Sequence, residues 1–228
     1  MEMFMKTILY LCFLVLFQST ATSTTAKGTH ELQRLGENVT VNAFVLYDKS
    51  ILNETQAAMN DTRPVWDHFK KIFEQIQQAI NKKGVNITMN VTNVTEGQNI
   101  CVNSTSATFG LQLNGTATLE NLLKYANSTG INETNYIFYF FVGTSFDVNI
   151  TQTDELFTRD TFCTENKTAA VVKTIALPQF YLTALKMTLF ALGSNHTQVL
   201  YREDKEKLQE VFQRCHHNST ESSQCLKK

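Results

Sequence analysis

The chain has 228 residues, 43% of them hydrophobic and 18% charged, and its 20 basic and 21 acidic side chains leave a formal net charge of -1. So even a balance offers no electrostatic footprint for nucleic acid or an anionic lipid surface, and neither partner is expected. The apolar fraction suffices for one domain with a full core and is too high for a disordered chain.

The first residues, MEMFMKTILYLCFLVLFQSTATSTTA, place Lys6 before an apolar run from Ile8 to Phe17, then small residues that offer cleavage after Ala21 or Ala26. This is the layout of a secretory signal peptide, expected over 1–26. The run is well short of the roughly 20 residues a membrane span requires, so release is expected rather than anchorage. The mature domain is then expected to cover 27–228 and to be secreted, extracellular and free of the membrane.

Val39 to Asp48, VTVNAFVLYD, alternates and is rich in β-branched and aromatic residues, which predicts a strand. Pro64 follows Thr62 and Arg63 in the first turn of a long amphipathic helix, with Val65, Phe69, Ile72, Phe73, Ile76, Ala79 and Ile80 at helical spacing. Lys82, Lys83 and Gly84 supply the cations and glycine that suit its C-terminus. Trp66 on this helix reads as boundary core and His68 as solvated. In GVNITMNVTNV, Val85, Ile87, Met89 and Val91 share one face of a strand while Asn86, Thr88, Asn90 and Thr92 take the other.

The stretch from Glu96 to Gly115 reads as loop, and Thr118 as the cap of the helix TLENLLKYANST, closed at Gly130. YIFYFFV, Tyr136 to Val142, is continuously apolar and predicts a central strand covered on both faces. AAVVKTI, Ala169 to Ile175, predicts a further strand. Pro178 then opens the helix QFYLTALKMTLFALG, in which Gln179, Thr183 and Lys186 form a narrow polar stripe and the rest is apolar, as a buried helix requires. A charged helix from Arg202 to Arg214 leads into a cysteine-bounded tail, CHHNSTESSQC. The order of elements indicates the α/β class, a mixed sheet packed with long helices in a single domain.

Asparagine is unusual here. Fourteen of the 19 stand in Asn-x-Ser/Thr: Asn38, Asn53, Asn60, Asn86, Asn90, Asn93, Asn103, Asn114, Asn127, Asn132, Asn149, Asn166, Asn195 and Asn218. Random placement predicts about three or four, so dense N-glycosylation is expected, with each occupied site facing water. Cys12 lies in the leader, and Cys101, Cys163, Cys215 and Cys225 remain for two disulfides in an oxidising compartment, with three pairings open. No C-x-x-C spacing favours zinc instead.

In H-E-x-x-H-x-x-G-x-x-H, three histidines grip zinc and the glutamate polarises its water. Laid over the helix that ends TLFALGSNHT, the ligand positions hold Phe190, Ser194 and Leu200, the base position holds Ala191, and Thr197 replaces the glycine. His196 stands inside the Asn195 sequon and is expected to point to solvent; His216 and His217 are adjacent and project in different directions rather than chelating together. No metal ligand, catalytic residue or cofactor is therefore expected.

The segments VNAFVLYD, WDHFKKIFEQIQQAI, YIFYFFV, TFCTENKTAAVV and MTLFALGS together resemble a reprolysin-type (metzincin) protease domain. They more closely resemble a family of secreted salivary proteins of metastriate ticks in which the zinc helix has degenerated. The resemblance covers roughly Asn38 to Cys215. It implies a metzincin-like sheet flanked by helices, with Ala169 to Ile175 as the edge strand that faces a peptide, and a bridge from Cys163 to Cys215 or Cys225. The expected function is that of a catalytically inactive salivary modulator, a pseudo-metalloprotease whose partner is a host protein or lectin. The alternatives are an active reprolysin-like zinc metallopeptidase with an atypical site and a glycan-bearing decoy or shield.

Overall fold

Strand order in the main sheet follows from where the apolar runs fall. The computed structural model describes residues 34–49, 51, 65–106, 110–143, 156–173 and 180–224, which all belong to one compact unit beginning at Arg34. The expected leader, Cys12, Asn53, Asn60, Pro64, Asn149, Pro178, Gln179 and Cys225 lie outside the described residues, as does the side chain of Asn218. The elements are β1 (Val39–Tyr47), α1 (Val65–Lys82), β2 (Ile87–Glu96), β3 (Asn103–Ser106), β4 (Gly110–Leu113), α2 (Gly115–Ser128), β5 (Tyr136–Val142), β6 (Thr168–Lys173), α3 (Phe180–Ala191) and α4 (Arg202–Gln224). Four strands form one parallel sheet in the order β2-β1-β5-β6, and β3 with β4 forms a separate antiparallel pair. The class is α/β, as the chain order indicates.

The continuous run YIFYFFV becomes interior strand β5, buried from Ile137 to Val142. Its alternate side chains serve two layers. Tyr139 and Phe141 meet Phe73 and Phe69 of α1, with ring centroids 4.9 and 4.8 Å apart, while Phe138 meets Phe44, which in turn meets Tyr125 of α2. Each such aromatic contributes about 2 to 3 kcal/mol by burial, which makes this strand the centre of the core. Helix α3 closes the α1 side, where the Tyr139 hydroxyl lies 2.9 Å from Thr188 Oγ1. Burial pushes the Tyr139 phenol well up, only partly offset by that hydrogen bond, so the group stays neutral.

Edge strand β2 is protected by the helix that precedes it. Gln77 Oε1 and Asn81 Oδ1, one helical turn apart on α1, accept the outward N–H groups of Met89 and Ile87 at 2.7 and 3.2 Å. Thr88 and Asn90 are exposed and Ile87 is buried, in agreement with the alternation. A bulge then changes the phase: Ala43 pairs with Val91 but Phe44 pairs with Asn93, so Thr92 is the extra residue, and its Oγ1 donates to the carbonyl of Ala43 at 3.2 Å. Because Asn42 and Phe44 share a face, their partners Asn90 and Asn93 share one too, although they stand three apart.

Several expectations are corrected. The stretch read as loop after Glu96 holds the β3-β4 hairpin. Helix α2 is capped by Asn114, whose side chain accepts from Ala117 N–H at 3.0 Å; Thr118 is buried and accepts from Val102 N–H instead. The cysteine-bounded tail is helical, since α4 runs to Gln224. His68 is half-buried, edge-on to the Phe69 ring, rather than solvated. Trp66 stays 39% exposed at the boundary.

Strand β6 is the sheet edge, but its outer side already has a partner. Thr158 N–H donates to Ala169 O and Val171 N–H to Leu156 O, and Phe157 bridges Ala170 in antiparallel sense. The chain thus occupies the Ala169 to Val171 part of the edge that was expected to face a peptide, and Thr174 and Ile175 lie outside the described residues.

Candidate functional site

The site the sequence singles out is the end of α3 and the loop behind it. Gly193 adopts φ +97°, with its N–H on Phe190 O and the next N–H, of Ser194, on Leu189 O, both at 2.9 Å. This is a Schellman closure, the same device that ends α1 at Gly84 (φ +83°). A Cβ on Gly193 would stand 3.3 Å from Val211 Cγ2 and 3.4 Å from Lys207 Cγ, in addition to the strain of a left-handed backbone. Gly193→Ala is therefore expected to cost about 1 to 2 kcal/mol, read as a lowered midpoint in urea.

The four positions aligned with the zinc motif serve packing and hydrogen bonding. Phe190 is half-buried and stacks on Phe157, centroids 5.1 Å apart, with Lys186 Nζ 5.6 Å above the Phe190 ring and the Arg159 guanidinium 5.1 Å from the Phe157 ring. This row of two rings between two cations joins α3 to the segment covering β6. Ala191 is fully buried and Leu200 nearly so.

Ser194 is fully buried, and it leads to a feature the sequence did not suggest. Asp204, 1% exposed, receives Asn195 N–H at 2.8 Å, His196 N–H at 3.2 Å and Ser194 Oγ at 3.1 Å on Oδ1; Oδ2 takes Tyr201 N–H at 2.9 Å and His196 Nδ1 at 3.0 Å. An ionised carboxylate only accepts, so Nδ1 of His196 carries the proton. Burial raises the Asp204 pKa, but the hydrogen bonds from Asn195, Tyr201, His196 and Ser194 outweigh it and hold the carboxyl below the ordinary value. His196 therefore does not simply point to solvent: its ring is tied to a buried carboxylate and lies edge-on to Tyr201, 4.7 Å between centroids. Tyr201 to Asp204 is the spacing of half a capping box, a signal available in the sequence; the contacts to Ser194, Asn195 and His196 depend on the fold.

Chemically this cluster is a clasp. The Ser194 hydroxyl lies 2.6 Å from the carbonyl oxygen of His196 and shares its proton with Asp204, so its hydrogen bonds run to the carboxylate and the backbone rather than through an imidazole base. Both oxygens of Asp204 are saturated by donors, which leaves it a poor metal ligand. Among the described residues no three His, Cys, Asp or Glu side chains converge as a metal site.

Cys163 is bonded to Cys215, in the sense the resemblance implied. Among the described residues Cys101 carries a free, half-buried thiol 3.4 Å from Asn103 Oδ1, and Cys225, the remaining cysteine, lies outside them. Burial, and then nearby Asp48, push this thiol up to about 11, so it stays protonated at neutral pH. Of the sequon asparagines whose side chains are described, Asn38, Asn90, Asn103, Asn127, Asn132, Asn166 and Asn195 are exposed and Asn86, Asn93 and Asn114 half-buried. None is in the core. Asn114 caps its helix through Oδ1, which leaves Nδ2 for a sugar. A scan against protein-family models and a search of curated proteins each found no match to this chain.

Proposed function

We propose that the chain is a secreted, heavily N-glycosylated binding protein with a metzincin-like frame and no peptidase chemistry, acting as a salivary modulator on a host protein or lectin. One observation carries this reading. Each ligand and base position of the zinc motif is engaged in something else: Phe190 in an aromatic stack, Ala191 and Leu200 in the core, Ser194 in the Asp204 clasp. A histidine left at such a position without metal is a polar group in want of a partner, whereas these side chains stabilise the helix end directly.

The test is metal uptake. Protein dialysed against chelator and titrated with zinc is expected to show no stoichiometric tight binding and no cleavage of peptide or casein substrates. Tight uptake accompanied by chelator-sensitive cleavage supports the atypical metallopeptidase instead. A second reading, the glycan-bearing decoy, is favoured by the surface placement of the sequon asparagines. It is separated by enzymatic deglycosylation: binding to host material survives if a protein face is responsible and disappears if the sugars are.

A further inference from the structure

The strands of a parallel sheet begin at the same end, and in this chain sequons gather there. Asn38 immediately precedes β1, Asn86 immediately precedes β2, and Asn132 and Asn166 stand shortly before β5 and β6. Hydrogen bonds tie these approaches together: Asn86 N–H to Leu35 O at 2.7 Å, Asn135 Nδ2 to Thr40 O at 3.1 Å, Cys163 N–H to Thr134 O at 3.0 Å and Lys167 Nζ to Ile131 O. Asn195 joins the group through Arg159 Nη1, 2.9 Å from its Oδ1. Five potential carbohydrate sites therefore crowd one end of the sheet.

The same end holds a groove of about 590 Å³. Asn38 and Asn132 both line it, together with Thr40, Asn135 and the two bridged cysteines, Cys163 and Cys215. Asn38 has φ +66°, a left-handed conformation that asparagine tolerates better than other residues with a Cβ, and its side chain is exposed. The volume falls within the roughly 300 to 1,000 Å³ typical of ligand sites. Hydroxyl, amide and the carboxylate of Glu133 on its walls match the hydroxyl and acetamido groups of a sugar.

We propose that this groove is a binding site for the chain's own carbohydrate: the N-acetylglucosamine cores attached at Asn38 and Asn132 lie in it and cover the Cys163–Cys215 bridge. The inference rests on the glycoprotein reading above and adds a role to it. Thiol reductants open a disulfide by attack of a thiolate on sulfur, so the rate depends on access to the sulfurs. Carbohydrate seated over Cys215, the half-buried member of the pair, withholds that access.

Glycoprotein from a eukaryotic secretory host provides the test. Glycopeptide mass spectrometry reads occupancy at Asn38 and Asn132; timed reduction with dithiothreitol, followed by alkylation and peptide mapping, reads the bridge before and after removal of the glycans by amidase. Both sites are expected to be occupied, and reduction to quicken about tenfold on deglycosylation, with a smaller gain in Asn132→Gln. Amide exchange across Ile137 to Val142, buried at the sheet centre, is the control for general loosening and is expected to stay unchanged. Empty sites at both Asn38 and Asn132 overturn the proposal and weaken the glycoprotein reading with it. Occupied sites with an unaltered reduction rate overturn the groove assignment alone, as does a parallel quickening of exchange at the sheet centre, which marks general loosening.

Discussion

Asp204→Ala lowers stability by about 3 kcal/mol at neutral pH, because several N–H and O–H donors lose a charged acceptor at once. The effect is expected as a fall of roughly 6 to 12 °C in melting temperature for a domain of this size. Asp204→Asn retains the shape but not the charge, and offers an N–H₂ where Asn195, His196 or Tyr201 already points a donor, so it recovers only part of the loss. Ser194→Ala removes one hydrogen bond of the set and costs about 1 kcal/mol. The pH dependence carries a definite sign. The folded pKa of Asp204 lies below the ordinary value, so its contribution is fully present above the unfolded pKa of about 3.9 and is lost as pH falls through the lower folded value. The stability gap between wild type and Asp204→Asn, measured by urea unfolding at pH 7, 5 and 3, should hold between the first two and narrow at the third. A gap that is already absent at pH 7 removes the clasp from the account of stability.

That clasp marks where sequence reading stops. Alternation in ITMNV and the unbroken run YIFYFFV report burial through side-chain period alone, and both strands stand where the pattern predicts. The bulge at Thr92 is different, since residues of similar β propensity flank it and only the pairing with Ala43 reveals the extra residue. Asn114 stands in a sequon but equally suits a helix cap, and the sequon pattern hides the capping role that starts α2 four residues before Thr118. No glycine or proline interrupts the chain between Cys215 and Gln224, so α4 continues where a tail was expected, even through modest helix formers. Cysteine counting stops short as well: an even number leaves the pairing open, and only the fold brings Cys163 to Cys215. Asp204 gathers its donors from residues up to ten positions earlier, brought close only because Gly193 turns the chain at the end of α3.

Removing the Cys163–Cys215 bridge is the other change of large expected effect. It closes a stretch of 52 residues that includes β6, α3 and the clasp, and the chain-entropy model assigns a loop of that length about 4 kcal/mol. The bridge does not hold α4 alone. Lys207 Nζ lies 3.3 Å from Asp160 Oδ1, and Arg214 Nη2 reaches the carbonyl oxygens of Phe162 and Asp160 at 3.3 and 3.4 Å. Val211 and Phe212 are buried as well. With those contacts intact, the Cys163→Ser, Cys215→Ser double variant is expected to fold, to lose about 2 to 4 kcal/mol, and to lose it unevenly. Amide exchange should quicken most across Arg202 to His216, while Tyr136 to Val142 at the sheet centre changes only by the global amount. Cys163 has φ +57°, so part of the native geometry is a backbone the bridge helps to hold, and serine there should relax the 160–164 turn. If the variant instead loses less than about 1 kcal/mol with exchange unaltered in α4, the noncovalent contacts of Lys207, Arg214 and the buried apolar pair suffice, and the bridge's contribution lies in resisting chemical and proteolytic attack rather than in equilibrium stability.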